Sequence, residues 1–294
     1  MFIPHASACR SERVPYLSFS ATDLKARAFV KSLMRDAGLD VEEDAIGNIF
    51  GTLPGSDESA PYVLTGSHTD AIPRAGAYDG TVGVLGGIAA LKALRLAGFV
   101  PARSLRVVMF ASEEPTRFGL SCLGSRALAG ELSAGALLAL RDENGTSFFD
   151  AAHAAGYASE HEPTEASAER FLAALALLPG SVHAFVELHI EQGPLLEAQG
   201  VPLGVVSAIA APASVEIVFR GPGGHAGGLL MPARRDPSLA AAEASLALEA
   251  LALERGGADT VATTGAWRVS PNTVNSVPVE AAVTMDVRDV ALRR

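Results

Sequence analysis

Two carboxylates side by side, Glu113 and Glu114, follow the apolar run Leu105-Arg-Val-Val-Met-Phe-Ala111, and upstream lie a His68-Thr-Asp70 triplet and a Tyr78-Asp79-Gly80 turn. Adjacent carboxylates cannot both be charged cheaply in a dry site unless a cation is present. These residues are therefore read as parts of a two-metal hydrolytic site. Two divalent ions a few ångströms apart need one carboxylate to bridge them, His and carboxylate side chains to hold each, and a free carboxylate to handle the proton of the attacking water. Asp70, two residues past His68 in an extended segment, points the same way and can accept the other imidazole N–H, fixing the tautomer. Taken singly, His68 also fits a polar strand end, and a Glu pair before Pro115 also fits a solvated loop. Order favours the site, because each residue ends an apolar strand, where solvated charge has no special reason to collect.

The elements that must position these groups follow from the hydrophobic period. Residues 62–68 read as a strand delivering His68 at its carboxyl end, where open α/β sheets place their chemistry. Asp79 sits in a Gly-rich turn before an apolar helix over 82–96, and a strand over 105–111 ends at the Glu pair. Upstream, Thr22 precedes a helical pattern with Ala26, Val30, Leu33, Met34 and Ala37 on one face, closed by Gly38. Strand-like runs at 41–43 and 48–53 and a helix at 123–130 complete the alternation of a sheet wrapped by helices. The Ala-rich stretch 130–180 reads as helices and surface loops, with His153 and His161 in solvent. A fourth core strand over 184–190 alternates Phe185, Glu187 and His189 with Val186, Leu188 and Ile190, which places His189 like His68.

From Ser207 the pattern changes. A strand over 214–220, a glycine-rich loop holding His225, an Ala-rich helix over 237–253 and strands over 261–269 and 281–288 make an antiparallel β-α-β-β unit. The loop lacks the Gly-Lys-Ser/Thr of a phosphate loop. By residue type alone His225 also fits an exposed loop, and Arg288 a strand-end salt bridge. The predicted organisation is α/β: a mixed-sheet domain over residues 1–206 carrying the metal site, then a smaller α+β domain over residues 207–294.

Composition narrows the function classes. With 294 residues, 49% hydrophobic and 19% charged, the chain can bury a large core and reads as soluble and globular. A formal net charge of -10 and a pI near 5.2 argue against nucleic acid or an anionic membrane as partner. The two cysteines, Cys9 and Cys122, have no metal-binding or redox spacing. No run approaches a membrane span, and residues 1–15 hold no continuous apolar stretch, so no compartment is legible.

At this level of detail the chain resembles the M20 metallopeptidase family, and within it the amidohydrolase branch that releases ammonia from carbamoyl or ureido groups. The resemblance is carried by Gly66-Ser-His-Thr-Asp70, Tyr78-Asp-Gly-Thr-Val-Gly-Val-Leu85, Ser112-Glu-Glu-Pro-Thr-Arg-Phe-Gly119, Leu123-Gly-Ser-Arg126, Glu187-Leu-His-Ile-Glu-Gln-Gly-Pro194, Gly224-His-Ala-Gly227, Asn275-Ser-Val-Pro278 and Asp286-Val-Arg288. His189 stands where the family's peptidases usually carry a carboxylate. Glu114-Pro-Thr-Arg-Phe-Gly119, Ser121-Cys-Leu-Gly-Ser-Arg126 and Leu230-Met-Pro-Ala-Arg-Arg-Asp236 look most like the members that act on ureidoglycolate in purine ureide breakdown. N-carbamoyl-L-amino-acid hydrolases and allantoate amidohydrolases share the general motifs.

The resemblance implies a phosphorylase/hydrolase-like catalytic domain with a lid that dimerises. It makes His68 and His189 ligands of one ion, Asp79 the bridging carboxylate, Glu114 a ligand of the other ion and Glu113 the general base. It further implies that Gln192, Asn275 and Arg288 bind substrate and that His225 stabilises the oxyanion in a partner subunit's site. Manganese is the implied metal, with zinc or cobalt open to the same donors. The family's second ion takes a last His from a later segment returning to the catalytic sheet. The seven His here, at 5, 68, 153, 161, 183, 189 and 225, include none beyond the small domain, so the chain is expected to be a fragment of the enzyme. The contrasting expectation is a non-catalytic dimerisation module.

Overall fold

The computed structural model describes residues 17–73, 76–158 and 163–291. The readings for residues 1–15, Cys9 included, and for His161 fall outside the described residues. The chain divides into two compact units, Met1–Ala198 and Gln199–Arg294.

The first unit runs α1 (Ala21–Asp36), β1 (Asp40–Glu43), β2 (Ile49–Leu53), β3 (Tyr62–His68), α2 (Thr81–Leu96), β4 (Leu105–Phe110), α3 (Leu123–Ala129), α4 (Ala134–Ala139), α5 (Phe148–Ala154), α6 (Glu165–Leu175) and β5 (Val182–Val186), followed by the short α7 (Leu195–Gln199). Helix α1 begins one residue before Thr22. Ser20 caps it, its hydroxyl accepting the Asp23 amide, a bond that the non-helical Ser20 backbone allows.

The strands form a mixed sheet in the order β1-β2-β4-β3-β5. β3 is parallel to β4 and β5, so three carboxyl ends come out on one edge. The period of two along β4 builds both faces. Val107 and Met109 pack with Val30, Met34, Val84 and Ile88 of α1 and α2 on one side, while Val108 packs with Phe50, Leu64 and Leu128 on the other. A third cluster, centred on Phe148, Phe149, Leu123 and Leu137, joins α3 to α6 beside the sheet. His153 belongs to that region and is half-buried rather than solvated, because Nδ1 bonds the Ala158 carbonyl at 3.1 Å.

The fourth strand is shorter than its alternation suggests. Its ladder stops at Val186, paired with Thr65, so Glu187 and His189 lie in the segment just beyond the strand. A two-residue period marks extended backbone, which continues past the last ladder bond.

The second unit runs β6 (Ala211–Arg220), β7 (Gly224–His225), α8 (Pro237–Arg255), β8 (Val261–Ser270), β9 (Ser276–Val277) and β10 (Glu280–Asp289). β10 lies between β6 and β8, antiparallel to both, and β7 pairs with β9. Ala281, Val283 and Met285 meet Ala241 of α8, with Ile217 and Phe219 around them. Among the described residues no helix is long and apolar enough to cross a membrane.

At Gly66, β3 packs tightly against β4. Its φ is +138°, and a Cβ there would lie 1.9 Å from the Val108 carbonyl oxygen, a backbone atom that cannot swing away. Gly66→Ala is expected to lower stability by about 2–4 kcal/mol in urea unfolding, since the two strands must part to admit the methyl.

Candidate metal centre

His68 is the last residue of β3 and is buried at 3% exposure. Its ring rests on Gly80, whose φ of +66° turns the chain into α2 and whose missing Cβ would stand 2.6 Å from the imidazole. That turn brings in Asp79, and the segment after β5 brings in His189. The carboxylate oxygen Asp79 Oδ1 lies 3.1 Å from His189 Nε2 and 4.0 Å from His68 Nε2.

The hydrogen bonds on the far side of each ring fix what these nitrogens are. His68 Nδ1 is 2.9 Å from the Asp70 carbonyl oxygen, and His189 Nδ1 is 2.8 Å from the Ile190 carbonyl oxygen. A carbonyl oxygen only accepts, so each Nδ1 carries the proton and each neutral ring turns a lone pair at Nε2 toward Asp79. Asp79 Oδ1 is itself buried without a hydrogen-bond partner. Three electron-pair donors thus converge with no proton among them, which suits a divalent cation held by two imidazoles and a carboxylate.

A second group joins the first at His68. Its Nε2 is 3.4 Å from Glu113 Oε2, and ligand atoms of His68, Glu113 and Glu114 all lie within 4.8 Å of one another. The two groups share His68, whereas the resemblance puts Asp79 in the shared place. Burial raises the Glu114 carboxyl above its ordinary range, the neighbouring Glu113 charge pushes the same way, and His68 opposes both. Cys122 donates to Glu113 Oε1 at 3.4 Å, and burial, then Glu113, pushes its thiol upward.

Asp70 does something other than expected. Its carboxylate is 3.8 Å from His68 Nδ1 and instead accepts the backbone amides of Glu113 at 3.2 Å and Glu114 at 2.9 Å. The imidazole bond goes to the Asp70 carbonyl, because after an extended strand residue that oxygen reaches the ring first. One residue therefore orients His68 through its backbone and the Glu pair through its side chain. Burial raises the Asp70 carboxyl, with the neighbouring His68 and the two amides working against it.

Gln192, expected to contact substrate, lies beside the donors, its amide Nε2 bonding Asp79 Oδ2 at 2.8 Å. Supports that residue types did not reveal include Ser67, bonded to Glu187 Oε1 at 2.5 Å, and the fully buried Asn48. Asn48 accepts the Ala111 amide and donates to Asp44 and the Gly124 carbonyl, tying the end of β4 to α3. The available signal was an amide side chain at the head of the apolar run Ile49-Phe50. Arg117 holds the loop after the Glu pair, bonding the Ser18 carbonyl at 2.6 Å and Asp142 at 3.2 Å.

Within the second unit, His225 and Asn275 come together. His225 pairs with Ser276, and the Ala226 amide bonds the Asn275 carbonyl. The Gly227 amide donates to His225 Nδ1 at 3.2 Å, which leaves the proton on Nε2, free to donate. Arg288 is elsewhere: it lies eight residues along β10 from Glu280, so about 26 Å of extended strand separates it from the end nearest Asn275. It forms a fork with Asp286 at 2.6 and 3.4 Å, which raises its pKa further. Asn275 and Arg288 of one copy therefore do not meet around one small carboxylate.

Residues 52–292 match the model of peptidase family M20/M25/M40. The chain belongs to that family. This M20 chain is 52% identical over 277 residues to the ureidoglycolate hydrolase of Oryza sativa subsp. japonica, covering 94% of itself and 56% of that protein. It is 40% identical to the N-carbamoyl-L-amino acid amidohydrolase of Geobacillus stearothermophilus, covering 94% of itself and 64% of that protein. The crystal structure of AtUAH in complex with (S)-hydroxyglycine superposes with a TM-score of 0.80 at 48% identity, over 96% of this chain and 65% of that one. The chain thus spans between half and two thirds of the length of these relatives. The M20 family is metal-dependent, and the two residue groups built here are able to hold divalent metal.

Because the His68 ring sits on Gly80, Gly80→Ala is expected to displace it. Manganese titration of the protein should show affinity falling by about tenfold or more, as when other supports of a metal ligand are lost.

Proposed function

We propose that the protein is a metal-dependent amidohydrolase that cleaves the ureido C–N bond of a small carboxylate, ureidoglycolate above all. The observation that carries this reading is the convergence of His68 Nε2, His189 Nε2 and Asp79 Oδ1 on one point beside the Glu113 carboxylate. The similarity to the rice ureidoglycolate hydrolase supports the substrate. His68, His189 and Asp79 hold one ion, and Glu114 helps to hold a second; manganese is the metal this reading favours, with zinc and cobalt open to the same donors. Bound there, the ions lower the pKa of water and polarise the scissile carbonyl.

The chain's own groups then handle the protons. Glu113 takes the proton from the attacking water at Oε2, the oxygen that faces His68, and returns it to the departing ammonia. The carbamate left behind loses carbon dioxide, and the remaining hydroxyglycine breaks down to glyoxylate and a second ammonia. His225, protonated at Nε2, donates to the oxyanion as the carbonyl becomes tetrahedral. Arg288 and Asn275 recognise the carboxylate, Arg288 by its fork.

The length of β10 between Arg288 and the end nearest Asn275 supports a homodimer acting through the smaller domain, in which one copy's His225 and Asn275 serve the site that the other copy's Arg288 serves. Exposed leucines 239, 246 and 253, seven residues apart on α8, give that domain an apolar face for a second copy.

Ammonia release by the full-length, manganese-loaded protein tests the reaction. Ureidoglycolate should be turned over faster than allantoate or an N-carbamoyl amino acid, and Glu113→Gln should lower kcat by about 10²- to 10⁴-fold. Preference for a carbamoyl amino acid would move the substrate, and no turnover of any would favour a non-catalytic module. Sharing of sites between copies has its own test. His225→Ala and Arg288→Ala, each inactive alone, should regain on the order of a quarter of wild-type activity after subunit exchange, since half the dimers are mixed and each has one intact site.

A further inference from the structure

The proposed oxyanion donor, His225, stands at the head of a loop with little to hold itself: Ala226, Gly227 and Gly228 offer no side chain larger than a methyl. Where the loop begins, β7 pairs with β9 and the Ala226 amide bonds the Asn275 carbonyl at 3.0 Å. The chain then makes a single helical turn, the amides of Gly228 and Leu229 donating to the His225 carbonyl at 3.1 and 3.0 Å. A turn that stops after one round leaves its later carbonyls without amides to accept. If it relaxed, it would carry away the Gly227 amide, whose bond to His225 Nδ1 leaves the proton on Nε2.

Arg234 supplies the missing donors. Its Nη2 donates to the Ala226 carbonyl and its Nε to the Leu229 carbonyl, the latter at 2.9 Å, so one planar guanidinium closes both sides of the Gly227-Gly228 pair. The half-buried arginine is anchored in its own right. Its amide bonds the Met231 carbonyl at 3.1 Å, at the end of the short 3-10 turn Met231–Ala233. Two residues on, Asp236 caps α8 by accepting the Ser238 amide at 2.8 Å. The segment thus brackets the His225 loop to the start of α8.

We propose that Arg234 is a positioning residue for the reaction: by bridging the Ala226 and Leu229 carbonyls it holds the loop in which Gly227 fixes the His225 tautomer, so that Nε2–H is presented to the oxyanion. The inference rests on the reading of His225 given above. It assigns a task to the Leu230–Asp236 motif, to which that reading gives none.

Ammonia release from ureidoglycolate by the full-length, manganese-loaded protein tests it in two variants. Arg234→Met keeps an apolar stem and loses the fork, whereas Arg234→Lys keeps the charge but cannot reproduce the fork. Methionine should lower kcat about tenfold or more with KM within about twofold, since a misplaced oxyanion donor weakens the transition state alone, and lysine should fall between methionine and wild type. Subunit exchange separates this from a general loss of structure. Mixed with Arg288→Ala, Arg234→Met should regain on the order of a quarter of wild-type activity, because one site of each mixed dimer has both Arg288 and an intact His225 loop. Mixed with His225→Ala it should stay at the average of its parents, since both lesions fall on the same loop. Where methionine fails to fold, lysine carries the same comparisons. Unchanged kcat overturns the proposal, as does recovery in the mixture with His225→Ala, or a rise in KM with kcat intact. If His225→Ala and Arg288→Ala fail to complement each other, the sharing of sites falls and the kcat and KM of the Arg234 variants decide alone. If wild type turns over no ureido substrate, the proposed function fails first and this proposal with it.

Discussion

Three electron-pair donors pointed at one another are an unstable arrangement for a protein to build, and the first unit is organised around such an arrangement. His68 Nε2, His189 Nε2 and Asp79 Oδ1 are forced together because each imidazole has committed its proton to a backbone carbonyl on its other side. Repulsion among lone pairs would open the cluster if the surrounding chain were soft. Opposing that, β3 and β5 are parallel neighbours, Gly80 lies against the His68 ring, and Gly66 brings β3 against β4. The same edge carries the Glu pair, whose amides are held by Asp70, so the Glu pair and the donors spring from one sheet edge. Pre-organisation of this kind lets a cation bind without the chain first having to order its ligands.

Much of this was legible in the residues. β3, α2, β4, α3 and α8 fall within a few residues of where period and turn chemistry place them, because each is an uninterrupted apolar pattern with a clear stop. The ligand candidates His68, Asp79, Glu114 and His189 were legible for a related reason: polar residues that chemistry can use stood out at the ends of apolar runs. Hydrogen-bond direction was not legible. Nothing in the spacing of His68 and Asp70 tells whether the ring meets a carboxylate or a carbonyl, and Gln192 looks the same whether it faces a substrate or Asp79. The extent of β5 was hidden for another reason, since alternation at Glu187 and His189 outlasts the ladder that defines the strand.

The second unit shows how far a motif-by-motif reading carries. His225, Asn275 and Arg288 each stand in the motif expected of them, yet the length of β10 keeps Arg288 from the other two. A strand is a ruler, and a substrate of a few atoms cannot reach from one end of it to the other. That separation leaves Arg288 toward one end of β10 and the His225–Asn275 pair beyond the other. In the proposed homodimer, a second copy would complete a site as well as cover the apolar face of α8.

Whether the three donors form a metal centre or a chance gathering of polar side chains can be seen directly. Crystals of the full-length protein grown with manganese, with diffraction recorded on both sides of the manganese absorption edge, test it most directly. An anomalous peak is expected at coordination distance from His68 Nε2, His189 Nε2 and Asp79 Oδ1 together. A map with no peak there, while manganese is bound at other residues, would contradict it.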